Sequence, residues 1–198
     1  MDPTFIEYDA NATCSDVSAC INLIPTCPQN AVCVTYNIGD IPTDYNPITG
    51  FISSTCAGVL SAVIPPNNQV VGVDVSYNIS AVGGGWMSEQ ISYIECTTPF
   101  GSAEGIVSGT GNSTGVQYYA RNGLTIADGL TGTVDFELHA TRIYGGSGCG
   151  VDFNRVDSGS WTLVVHYAPI SVPGCTDASA CNYNSAATAD DGSCDLPS

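Results

Sequence analysis

Residues 70–80 read VVGVDVSYNIS. Val71, Val73, Val75, Tyr77 and Ile79 alternate with Gly72, Asp74, Ser76, Asn78 and Ser80, the pattern of a strand that buries one face and wets the other. TVDFELHATRIY (133–144) repeats it, with Val134, Phe136, Leu138 and Ala140 set against Asp135, Glu137, His139 and Thr141. In SWTLVVHYA (160–168) the inward set is Trp161, Leu163, Val165 and Tyr167. Weaker strand signals lie at 31–37 (AVCVTYN), 91–96 (ISYIEC) and 115–121 (GVQYYAR), separated by Gly, Pro, Asn and Ser clusters. No stretch reads as a helix longer than two turns. The expectation is an all-β chain: an antiparallel two-sheet sandwich, Greek-key or jelly-roll in connection, over residues 1–170.

Composition limits what such a sandwich can do. The 198 residues carry 19 Asp and Glu against Arg121, Arg142 and Arg155, with no lysine, for a net charge of −16. Nucleic acid and anionic membrane surfaces would be repelled, leaving cations, neutral glycans and other proteins as partners. No run reaches the ~20 apolar residues of a transmembrane helix, so membrane insertion is not expected. The segment after Met1, DPTFIEYDANAT, has neither the basic nor the apolar region of a signal peptide. Ten cysteines nevertheless point to an oxidising, extracellular setting, whether a cell or a virion surface.

Cys14, Cys20, Cys27 and Cys33 lie at spacings of six, seven and six in a Pro- and Asn-rich segment, without the close pairs of a zinc site. Disulfides are expected for them, and for Cys56, Cys96, Cys149, Cys175, Cys181 and Cys194. Seven cysteines precede residue 170 and three follow, so complete pairing needs a bridge between body and tail. The expected arrangement joins Cys181 to Cys194 and uses Cys175 as the tie. If one thiol in each part stays free, bridging between chains becomes possible.

The tail, GCTDASACNYNSAATADDGSC (174–194), shows no apolar periodicity. Gly174, Cys175, Thr176 and Asp177, then Ala180-Cys181-Asn182-Tyr183-Asn184, Ala187-Thr188 and Asp190-Asp191-Gly192-Ser193-Cys194, resemble a short repeat of large secreted surface proteins of marine Bacteroidetes, found also in some algal-virus proteins. The match covers about a tenth of the chain in a single copy, where the family usually has tandem arrays. GLTIADG (123–129) and FELHATRIYGGSGC (136–149) faintly resemble sandwich modules of the same proteins. The resemblance implies an adhesive or scaffold setting and a small disulfide-stabilised repeat over 174–195; it implies no reaction.

Asp177, Asn182, Asn184, Asp190 and Asp191 offer hard oxygen ligands that suit Ca2+, though not at EF-hand spacing. The alternative is that these Asx side chains close their own turns. His139 and His166, with Glu137, would form a two-histidine, one-carboxylate metal site if their strands were neighbours; otherwise they are two exposed histidines on a sheet face. Asp157-Ser158-Gly159 matches an aspartic-protease tripeptide, but as one copy before a strand it reads as a turn. No nucleophile elbow or phosphate loop occurs. Asn11, Asn78 and Asn112 open glycosylation sequons.

Trp86, Tyr118, Tyr119 and Tyr144 are candidates for glycan stacking, with core or edge packing as the alternative. TFIEYDA (4–10) is short and amphipathic enough to add to a neighbour's sheet. The sequence therefore reads as a non-enzymatic extracellular structural or adhesive surface subunit, self-associating into a filament or layer, or contacting neighbouring surface modules. A carbohydrate-binding module is the first alternative and a hydrolase-associated domain the second.

Overall fold

The alternating stretches all become strands in the computed structural model, which describes residues 27–47 and 53–197. In chain order these are β1 (Ala31–Thr35), β2 (Ile41–Tyr45), β3 (Gly58–Val63), β4 (Asn68–Ala81), β5 (Gln90–Cys96), β6 (Val107–Ser108), β7 (Gly115–Leu124), β8 (Thr133–Arg142), β9 (Cys149–Val156), β10 (Thr162–Pro169), β11 (Pro173–Gly174) and β12 (Ala189–Asp190), with one 3-10 turn at Met87–Glu89. β1 to β10 form one hydrogen-bonded sheet folded into two layers, β1–β10–β4–β7 against β3–β8–β5–β6. The layers are joined at one corner by β9, which extends along the β4 edge beyond β10, and by β2, antiparallel to β9 and parallel to β8. No helix among the described residues is long and apolar enough to cross a membrane, which leaves membrane β-barrels unaddressed.

The core lies between the layers, where Trp161, Leu163, Val165, Val73, Val75, Tyr77 and Ile79 meet Val134, Phe136, Leu138, Ala140 and Ile94. These are the residues picked out by alternation, with one exception. Val70 is buried and Val71 exposed, the reverse of the expected parity, because the register slips where Tyr167 pairs with Val70 and His166 with Gly72. The bulged Val71 has no partner on β10, so the side chains before it change face.

Asp157-Ser158-Gly159 is a turn, as its composition suggests. It interrupts what is otherwise one long strand, β9 followed by β10, both paired to the same edge of β4. The Asp157 N–H donates to the Asn78 carbonyl (3.0 Å), and the Asp157 carboxylate accepts from Ser80 Oγ (2.8 Å).

The disulfides correct the expected pairing. Cys27 bonds to Cys33 and Cys56 to Cys149, whereas Cys14, Cys20 and the TFIEYDA segment lie outside the described residues. In the tail Cys175 bonds to Cys194, not Cys181 to Cys194, and no bridge ties tail to body among the described residues. The cause is local. β11 and β12 pair in parallel, Pro173 with Ala189 and Gly174 with Asp190, which brings the cysteines just beyond them to a Cα separation of 4.8 Å. Among the described residues Cys181 has no disulfide partner and is exposed, and Cys96 sits unpaired in the core, packed as a small apolar side chain. Burial pushes the Cys96 thiol pKa up. Hydrogen bonds replace the missing bridge: Val172 N–H donates to Thr188 Oγ1, Thr188 N–H to the Val172 carbonyl, and Ile170 N–H to the Asn67 carbonyl of the body.

Candidate functional site

The outward side chains of the β1–β10–β4–β7 layer line a shallow polar concavity. A second register slip lies within it. Val75 pairs with Arg121 but Val73 pairs with Leu124, so Asn122 and Gly123 together oppose Asp74. Gly123 takes a left-handed φ of 67°, a conformation glycine adopts without steric cost, and its N–H donates to Asp74 Oδ1 (2.8 Å). Beside the bulge lies a trough of about 210 Å³ lined by Asp74, Val75, Ser76, Tyr118, Ala120, Asn122, Thr162 and Val164.

Asp74 is fixed from both sides, with His166 Nε2 at 2.9 Å from its other oxygen. Burial works against the charge, but the bonds from His166 and Gly123 outweigh it and hold the Asp74 pKa below the ordinary value. The Ser76 and Asn122 side chains make no hydrogen bond within the described residues. Tyr118 forms one wall and is 64% exposed.

Its neighbour Tyr119 is not a surface aromatic, contrary to expectation. Consecutive strand residues face opposite ways, so Tyr119 is buried, stacked on Tyr77 (ring centroids 5.1 Å), and donates its hydroxyl to Gln90 Oε1 (2.9 Å). Trp86 and Tyr144 are exposed, the first just before the 3-10 turn, the second edge-on to Phe153 in the loop after β8. No ring contact joins any two of the four candidates among the described residues.

The histidines are not brought together. His166 lies between β4 and β1, while the neighbours of His139 on β8 are β5 and β3. Nor is His139 exposed: its side chain is 4% accessible, stacked on Tyr93 and covered by the segment around Ser54. Ser54 N–H donates to His139 Nδ1 (3.1 Å), so in the neutral ring the proton sits on Nε2. That nitrogen then has no lone pair for a metal. It points instead between Glu95 (3.4 Å) and Glu137 (3.3 Å), cross-strand neighbours whose like charges it separates.

In the tail, each candidate calcium ligand makes local hydrogen bonds. Asp177 Oδ1 accepts from Ser179 N–H and Oγ, Asn184 Oδ1 from Ala186 N–H, Asp190 Oδ1 from Gly192 N–H and Asp191 Oδ1 from Ser193 N–H. Asn182 spans the tail, accepting from Asp195 N–H and donating to the Ser193 carbonyl. The bonds of Asp177, Asn184, Asp190 and Asp191 are those of Asx turns. Among the described residues, one group of three His, Cys, Asp or Glu side chains has the spacing of a metal site, Asp44 with Cys56 and Cys149, and its two sulfurs are already joined.

The serine bonds lower the carboxyl pKa of Asp177 and Asp191. A lowered folded-state pKa contributes stability that is complete above the unfolded carboxyl value of about 3.9 and is lost as pH falls through the depressed value. In an NMR titration, the Ser179 and Ser193 amide shifts are therefore expected to hold until the pH is below the range where free aspartate titrates. Movement of both amides within that range would contradict it.

The residues that shape the trough, Asp74, Ser76, Asn122 and Thr162, were not among those the sequence singled out. The Asn122-Gly123 dipeptide, a turn former inside a strand pattern, was the available signal.

No protein-family model and no curated protein matches the chain. Among solved structures it is similar to a chain of the infectious bursal disease virus Gx strain, with a TM-score of 0.37 and 12% identity over 73% of this chain and 34% of that one. A chain of the T13 viral particle of the same virus gives a TM-score of 0.32 and 11% identity, covering 73% and 33%. The chain thus spans about a third of the length of the viral chains it matches.

Proposed function

We propose that the chain is a non-enzymatic structural subunit of an extracellular or virion surface, joined to its neighbours through the β7 edge of the sandwich. The observation that carries this reading is β7 itself. It is ten residues long, bonded to β4 along one edge, and its other edge has no main-chain partner among the described residues. Edges of this length are normally guarded by lysine, proline or a covering segment. Here there is no lysine or proline, and the outward side chains include Val116 (60% exposed), Tyr118 and Ala120.

Charge favours the same place. Residues 105–127 contain no Asp or Glu in a chain of net charge −16, so a second acidic copy meets little repulsion there. Such an edge accepts a partner strand through main-chain bonds. β1, at the far side of the same layer, has its outer edge unpaired as well among the described residues. Pairing of β7 with β7 would close a two-fold dimer, while β7 against β1 would propagate an open array. The disulfides support the extracellular setting, and the buried, wrongly protonated His139 and the Asp74-paired His166 support the non-enzymatic one.

Size-exclusion light scattering at rising concentration tests the proposal. The wild type should exceed the 20.4 kDa monomer, and Val116→Glu, which brings added charge to the contact, should reduce it to that mass. A wild type that stays monomeric throughout, or a Val116→Glu variant that assembles like wild type, would overturn the β7 reading.

A further inference from the structure

We infer that the trough between Tyr118 and Thr162 is a binding site for a neutral saccharide, a property separate from assembly through the β7 edge. A sugar ring has an apolar face of C–H groups and a rim of hydroxyls that donate and accept in pairs. The trough supplies a counterpart to each. The C–H groups carry partial positive charge and are attracted to an aromatic face, which Tyr118 offers largely bare to solvent. Across the strand, Ser76 and Asn122 provide a hydroxyl and an amide that have no hydrogen bonds within the described residues. Between them stands Asp74, oriented by Gly123 N–H and His166, with lone pairs left on each oxygen. A few fixed polar groups beside an apolar wall are what orient a small ligand.

The volume of about 210 Å³ is below the roughly 300–1,000 Å³ of clefts that enclose a whole drug-sized ligand. It suits a single sugar unit of a chain lying across the open sheet. Neutrality follows from charge: with Asp74 ionised and a net −16, a uronate or sulfated chain would be repelled. The Asn122–Gly123 bulge contributes the Gly123 N–H that fixes Asp74 Oδ1.

The test is an amide NMR titration of the full chain with the hexaoses of four neutral polymers, those of cellulose, xylan, mannan and laminarin, each to millimolar concentration. At least one should bind, shifting amides on β4, β7 and β10 around Ser76, Asn122 and Thr162. Tyr118→Ala, at an exposed position and with its fold checked by the unperturbed spectrum, should weaken that binding at least tenfold, and Asn122→Ala severalfold. Lack of shifts with all four sugars, shifts confined to other surfaces, or equal binding by Tyr118→Ala would overturn the inference. Val116→Glu, on β7 but outside the trough lining, separates it from assembly: a monomeric Val116→Glu chain that still binds sugar leaves this site standing alone.

Discussion

Replacing Cys56 and Cys149 together with alanine is expected to cost about 4–5 kcal/mol of stability and to lower Tm by on the order of 10–15 °C. The bond spans 93 residues, and the chain-entropy relation assigns the largest stabilisation to the longest loop it closes. The six-residue span of Cys27–Cys33 predicts about 2–3 kcal/mol by the same relation. Position reinforces the difference. Cys56 lies on the approach to β3, in one layer, and Cys149 opens β9, the corner strand that reaches the other. Urea denaturation of the two double-alanine variants checks the ranking. A Cys27/Cys33 variant less stable than the Cys56/Cys149 variant would refute it.

The second large effect belongs to the one well-buried ion pair among the described residues. Arg121 bonds both oxygens of Glu104, whose side chain is 5% exposed and also accepts from Ile94 N–H (2.8 Å). The guanidinium lies 5.0 Å from the centre of the Tyr77 ring. Burial disfavours its charge, but the Glu104 bonds prevail and raise the Arg121 pKa. Arg121→Met strands a carboxylate in the interior and is expected to cost about 3–5 kcal/mol at neutral pH. Acidification should return part of that loss, because a proton on Glu104 removes the stranded charge. Glu104→Gln in the Arg121→Met background should likewise recover stability. Urea midpoints at neutral and mildly acid pH measure both effects, and a variant as stable as wild type at neutral pH would show that the pair is dispensable.

The layers were legible because each central strand buries one face, so that Val134, Phe136, Leu138 and Ala140 announce themselves by parity alone. What parity cannot show is a bulge. The extra residue at Val71 reverses the facing of everything before it, and the one at Asn122–Gly123 puts the Gly123 N–H on Asp74, yet both are decided by the partner strand's register. His139 was misjudged for a related reason: its parity is outward, but the cover over it comes from Ser54, 85 residues earlier in the chain. The tyrosine pair was readable in principle, since adjacent strand residues must face opposite sides and one of Tyr118 and Tyr119 had to be buried. Cysteine parity posed the right question about body and tail. It could not anticipate that a parallel contact of two residues, β11 with β12, selects Cys175 and Cys194 and leaves Cys181 outside.

The tail's single disulfide has a mechanical meaning. A pull applied at Asp195 passes from Cys194 through the sulfur bridge directly to Cys175, so residues 176–193 are short-circuited and carry no tension. The force then enters β10 along its own axis. That strand is clamped on both flanks, by β1 over residues 162–166 and by β4 over 162–169. Its cross-strand bonds lie perpendicular to the pull and are loaded together in shear, instead of opening one after another like a zip. The tail is thus a handle attached to a strand held along both flanks.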